Sequence, residues 1–232
     1  MCIRDRAERD LTIAPRASLH GWLALPWLDG KRLHCADMNA AMFSKVVNYM
    51  QATAGPTLST SEREDAFARL RQLLQHNSGI LLGDAAACRA ARASDRLART
   101  ITQRELPSYG DGRLAPHEWI VTADGIRKLD AAGHHRDHSA IGPQPIWWDV
   151  AGATIEWKLD KTAADDLEKS MRLNAPEHAS YFRAAYSAFR AGIAKLAGDI
   201  AGREPGQCSG LAGALGYYRR CLAHELDRLE PQ

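Results

Sequence analysis

One hairpin signal constrains this chain more than any other feature. Asp124-Gly125 sits between two short apolar runs, His117 to Val121 (HEWIV) and Ile126 to Asp130 (IRKLD). Asp-Gly tolerates the positive φ angles of a two-residue turn, so the two runs read as antiparallel strands. On both sides of them the sequence reads mostly as amphipathic helix. One further strand is expected at His20 to Trp27 (HGWLALPW), bounded by Pro26 and Asp29-Gly30. So few β segments cannot build a large sheet, and the chain is expected to be mainly α, with one small β-hairpin and a lone N-terminal strand at about 20–25.

The helical segments carry their own punctuation. Asp37 is placed to cap a helix whose inner face is Met42, Val46, Tyr49, Met50 and Thr53, stopped by Gly55-Pro56. Ser61 and Glu64 have capping-box spacing ahead of Phe67, Leu70, Leu73 and Leu74, with His76-Asn77 as the expected end. Asp84 opens a third helix to about Thr100. After the hairpin, helices are expected from Ile146, from Thr162 to Leu173 and from about Pro176 to Ala197. Gly198 to Gly210 reads as a loop, and a last helix carries Leu211, Leu215, Tyr218, Leu222, Leu226 and Leu229. Stripes at this spacing are core packing.

Composition excludes several classes. A formal net charge of +2 offers no electrostatic footprint for nucleic acid. No apolar run of about 18 residues occurs, so no membrane span is expected. Five cysteines without CxxC spacing read as reduced thiols of a cytoplasmic protein. No obligate protein partner is evident, and a small-molecule substrate is the expected partner. The first six residues, MCIRDR, resemble a translated adapter stub of fragmentary reading frames. Residues 1–19 are therefore expected to be artefactual or disordered in part, and residues 1 to about 15 to be poorly ordered or to pack without a sheet partner.

Chemistry concentrates between Ser108 and Trp157. This stretch holds four of the nine histidines, four of the six tryptophans, and Asp111, Asp124, Asp130, Asp137 and Asp149. Asp111 follows Gly110 in a turn that leads into the first hairpin strand. Asp130 stands at the exit of the second, where a carboxylate is rigidly held. Between Ala131 and Pro145 the sequence is polar and rich in Gly and Pro, and it reads as a loop. Asp149 falls in the first turn of the helix that follows, placed to cap that helix or to brace the Gly110-Asp111 loop.

This order resembles the aminoglycoside-phosphotransferase branch of the kinase-like fold. That family has an HGDxxxxN loop, a hairpin ending in a metal-binding Asp, and a D-P-x-x-D-L-A segment. Here Tyr109-Gly110-Asp111 stands for His-Gly-Asp, Asp130 for the metal-binding Asp, and Gln144 to Ala151 for the last segment. Tyr109 departs from the family's His, and no Asn follows Asp111 at the family's spacing; His117 or Glu118 stands near that place. The resemblance implies a kinase-like helical C-terminal lobe over residues 20–232, with one remnant strand of the nucleotide-binding lobe, a hinge at about 25–32 and a catalytic segment at 108–157. It implies ATP and Mg²⁺ as cofactors, transfer of a phosphoryl group to a hydroxyl, and Asp111 as base with His117 or Glu118 beside it. Asp130 is then the metal ligand, and Leu25, Pro26, Trp27 and Leu28 the nucleotide contacts. No Gly-rich loop or strand Lys precedes His20, so the chain is expected to be a fragment lacking most of its ATP-binding lobe and inactive alone.

Two alternatives use the same residues. His134, His135, Asp137 and His138 with Asp130 have the ligand types of a Zn²⁺ or Fe²⁺ site, which makes a metal-dependent enzyme the first. The altered loop residues motivate the second, a non-catalytic binding module on a kinase-like scaffold.

Overall fold

The computed structural model describes residues 3–20, 22–129, 141–201 and 205–230. They form thirteen helices and strands in the order α1 (Ile3–Glu8), β1 (Ala17–Leu19), β2 (Trp22–Ala24), β3 (Lys31–Arg32), α2 (Ala40–Thr53), α3 (Thr60–Leu82), α4 (Asp84–Thr102), β4 (Trp119–Thr122), β5 (Gly125–Lys128), α5 (Trp147–Glu156), α6 (Lys161–Ser170), α7 (Pro176–Ala201) and α8 (Pro205–Arg228). The chain is mainly α, as the helical periodicity requires. It divides into two compact units, Met1–Thr57 with Pro107–Asn174, and Leu58–Leu106 with Ala175–Gln232.

Among the described residues the first unit carries all the strands. The turn falls at Ala123-Asp124, one residue before the expected Asp-Gly pair, with Gly125 already the first residue of β5; it sets the β4–β5 register, pairing Thr122 with Gly125 and Trp119 with Lys128. Gly125 adopts φ 117°, which a side-chain-bearing residue takes only at a cost. β3 adds to β4 through Lys31–Val121 and Arg32–Ile120, giving the order β3-β4-β5. The strand expected at 20–25 has a partner: β2 pairs with β1 in a separate hairpin, Ala17 opposite Ala24 and Leu19 opposite Trp22, with His20 at φ 50° in the connection. This hairpin leaves Leu19, Trp22 and Leu23 exposed, and Trp27 beyond it is 88% exposed.

The N-terminal residues pack more closely than their composition suggests. Leu11, Thr12 and Ile13 are buried. Thr12 forms a parallel bridge with Lys128, with Lys128 N–H donating to the Leu11 carbonyl at 3.3 Å and Thr12 Oγ1 donating to the Lys128 carbonyl at 2.8 Å. The expectation that this segment lacks a sheet partner is thus corrected at Thr12. An apolar Leu-Thr-Ile run beside an open strand edge gains burial and backbone hydrogen bonds by closing on it.

Helix ends differ from expectation by up to about two turns. α2 is capped by Asn39, whose Oδ1 accepts from Met42 N–H, while Asp37 closes a preceding 3-10 turn with His34. The box on α3 is Ser59 and Glu62, not Ser61 and Glu64; both pairs have the same spacing, and the earlier one lengthens the helix by about half a turn. α3 continues past His76-Asn77, and the Asn77 amide donates to the Ala188 carbonyl at 3.0 Å. α7 extends to Ala201 and α8 begins at Pro205, so most of the expected Gly198–Gly210 loop is helical.

In the second unit α3, α4, α7 and α8 pack against one another. Phe67 stacks on Tyr181, and Ser94 Oγ meets the Tyr181 hydroxyl at 3.0 Å. Leu222 and Leu226 of α8 are fully buried, as their stripe predicts.

Candidate active site

Asp149 organises the loop. It sits in the first turn of α5, is buried, and accepts three backbone N–H groups from residues 110–112: Gly110 at 2.9 Å and Asp111 at 3.2 Å on Oδ2, and Gly112 at 2.8 Å on Oδ1. Trp148 Nε1 donates to the Gly112 carbonyl at 3.1 Å. The neighbouring backbone adds Tyr109 N–H to the Gln144 carbonyl at 2.9 Å. Asp149 therefore braces the loop rather than facing a substrate, as its position suggests. Burial, and then repulsion from Asp111, raise its pKa to about 6 against the pull of the three N–H donors.

Gly110 is required by space. A Cβ at this position would run into the carbonyl of Thr53, at the end of α2. Tyr109, where the resembled family has His, is buried, and its hydroxyl donates to the Gly142 carbonyl at 3.2 Å. Burial, then the nearby charges of Asp149 and Asp111, push its pKa up, so it stays neutral.

Asp111 is wholly buried and its oxygens are engaged. Oδ2 accepts from the Tyr49 hydroxyl at 2.5 Å and lies 3.1 Å from Lys128 Nζ; Oδ1 accepts Arg113 N–H at 3.2 Å. Each carboxylate oxygen has about two acceptor positions, so among the described residues Oδ1 keeps one. Tyr49 is held at an edge-on ring contact with Trp119, 5.3 Å between centroids. Burial, then the Asp111 charge, drive its pKa up and keep the hydroxyl a donor.

Glu118 faces this cluster and His117 does not. Residues Pro116–Glu118 form a 3-10 turn instead of the start of a strand, so strand alternation does not govern them. His117 is exposed. Glu118 is buried, with Oε2 3.1 Å from Lys128 Nζ and Oε1 paired with Arg113 Nε.

Lys128 is the member that motif reading missed. It is wholly buried, with its ammonium between the two carboxylates and 5.7 Å from the centre of the Tyr49 ring. Burial pulls its pKa down, but Asp111 and then Glu118 outweigh it, and the net shift is upward; the lysine is charged. The signal was present in the hairpin register. A lysine directly opposite Trp119 shares that tryptophan's inward face.

The other expected site residues divide. Pro26 and Leu28 line an open cavity of about 370 Å³ with Thr12, Ile13, Thr122 and Arg127, whereas Leu25 and Trp27 are exposed and outside its lining. Asp130 and the rival ligands His134, His135, Asp137 and His138 lie outside the described residues. Among the described residues no group of three or more His, Cys, Asp or Glu side chains gathers as a metal site. The Asp111–Glu118 pair does not fit a bridging Mg²⁺, because an ammonium already stands between its oxygens. No helix among the described residues is long and apolar enough to cross a membrane.

Taken together, the hairpin, the braced Gly-Asp loop and the helices give a mainly α, kinase-like fold. The solved structures it matches include choline kinase LicA from Streptococcus pneumoniae, at 11% identity and a TM-score of 0.62, covering 96% of this chain and 77% of that one. LicA in complex with AMP matches at 10% identity and a TM-score of 0.65, covering 97% and 76%. A glucosamine kinase matches at 14% identity with a TM-score of 0.41, covering 82% and 48%. No protein-family model matches the chain, and the search of curated proteins finds no match.

Proposed function

We propose that the chain is a kinase-like small-molecule phosphotransferase lobe that uses an adenine nucleotide and transfers a phosphoryl group to a hydroxyl. The observation that carries this reading is the Asp111 loop. Its three successive N–H groups are fastened to Asp149, which holds one carboxylate in a fixed place on a fold shared with kinases. Phosphoryl transfer asks the protein chiefly for positioning and electrostatics, and a braced loop supplies the first. AMP in the LicA complex supports an adenine nucleotide, and Pro26 and Leu28, at the edge of an open cavity, are its candidate contacts. Magnesium, in this reading, depends on Asp130. Choline, named for LicA, makes amino alcohols the first acceptor class to try.

The engagement of Asp111 by both Tyr49 and Lys128 favours a second reading, a nucleotide-binding module without turnover. Calorimetric titration of the chain with ATP and Mg²⁺, followed by transfer of labelled γ-phosphate to a panel of amino alcohols, separates the two. Binding with transfer that Asp111→Asn abolishes establishes the phosphotransferase. Binding alone establishes the module, and absence of binding removes both.

A further inference from the structure

The buried Asp111–Lys128–Glu118 group offers more than a misfit to a bridging metal ion. Two carboxylates, on the loop and on the 3-10 turn, converge on one ammonium at equal distances of 3.1 Å. All three side chains are buried. Two buried anions this close repel, and one of them would take up a proton unless a cation stood between them. The cation is positioned deliberately by the fold: the Lys128 backbone is held on both sides, by its N–H to the Leu11 carbonyl and its carbonyl to Thr12 Oγ1. Arg113 takes the far oxygen of Glu118, so that carboxylate is fixed from two directions.

We propose that Lys128 is a built-in cation, a positioning residue whose ammonium holds Asp111 and Glu118 about one point, where a bridging divalent ion would otherwise stand and draw the two oxygens about 1 Å closer. The contacts stand by themselves; only the use of the two carboxylates in phosphoryl transfer rests on the reading above. A divalent ion binds carboxylate oxygens at about 2.0–2.2 Å and cannot share the bridging point with a lysine nitrogen. Removing the ammonium therefore opens a two-carboxylate site to a hard cation.

The test is a titration with MnCl₂ alone, read by electron paramagnetic resonance and by thermal unfolding. It compares the parent chain, Lys128→Met, and the double variant Lys128→Met/Glu118→Gln. Lys128→Met is expected to gain one Mn²⁺ site, at least about tenfold tighter than its counterpart in the parent chain or the double variant. Mn²⁺ should raise its unfolding temperature and leave the parent's unchanged. A Lys128→Met protein with no gained site, or a gain that persists in the double variant, overturns the proposal. If Lys128→Met is unfolded in metal-free buffer, recovery of helical circular dichroism in millimolar Mn²⁺ supports it, and no recovery overturns it. Since the titration contains no nucleotide, failure of ATP binding would remove the phosphotransferase reading and leave this result standing.

Discussion

Glu118 and Lys128 are ten residues apart in the chain and 3.1 Å apart through Oε2 and Nζ. The hairpin brings them together: its turn sets the register, and the register runs on past the strands to a hydrogen bond from Leu129 N–H to the Glu118 carbonyl at 2.6 Å. A regular strand would have sent Glu118 away from Lys128, because Trp119 already occupies the shared face. The 3-10 turn at Pro116–Glu118 frees it to swing inward. The charge cluster thus depends on a local break in β structure.

Asp149 should make stability depend on pH with an unusual sign. Its folded pKa of about 6 lies above the 3.8 of an ordinary Asp, so the folded state binds the proton more tightly. The contribution of this group is full below about 3.8 and is lost as pH rises through about 6. The difference corresponds to about 3 kcal/mol. Urea unfolding between pH 4 and pH 7 should therefore show a decline in the parent chain relative to Asp149→Asn, which is neutral throughout. Parallel curves for the two proteins would remove this assignment.

Tyr49→Phe removes one donor from a buried carboxylate and keeps the ring against Trp119. The expected cost is about 1–3 kcal/mol, the range for leaving a buried acceptor short of a partner. Denaturant midpoints measure it. An unchanged midpoint would show that water or another donor replaces the hydroxyl.

Gly110→Ala should be costly although Gly110 has no unusual backbone angle. The added Cβ meets the Thr53 carbonyl, which is backbone and cannot rotate away. A loss of about 2 kcal/mol or more is expected, in the range for overpacked sites. Gly112→Ala, at φ 86°, should be costly by strain instead. A crystal structure of Gly110→Ala with the Asp149 hydrogen bonds intact would contradict the first expectation.

In the helical unit, Arg183 of α7 pairs with Glu225 of α8 at 3.0 Å, both side chains about nine-tenths buried. Glu225→Ala leaves a buried guanidinium and should cost about 3–5 kcal/mol. Arg183→Met/Glu225→Met should cost less than the sum of the single changes, because both remove the same ion pair. A double-mutant cycle checks the coupling; strict additivity would mean that the pair contributes nothing as a pair.

Much of this architecture was legible in short-range signals. The inner faces of α2 and α8 follow from 3.6-residue periodicity, the β4–β5 register from the Thr122–Gly125 turn, and a structural role for Asp149, as cap or brace, from its place in a first helical turn. Capping residues shifted by two positions because the Ser-x-x-Glu pattern occurs twice in a row, and choosing between copies takes the packing of the finished helix. Other features have no local signature. β1 finds β2, and Thr12 finds Lys128, because open strand edges and apolar side chains gain from closure across any sequence distance. Asp111 meets Tyr49 over a separation of 62 residues, and that contact, with Lys128, sets its electrostatic environment. Periodicity and turn chemistry act over one or two turns of chain and so can be read directly. Neutralising a buried carboxylate depends on which charges the folded chain brings within about 4 Å, and only the assembled unit specifies those.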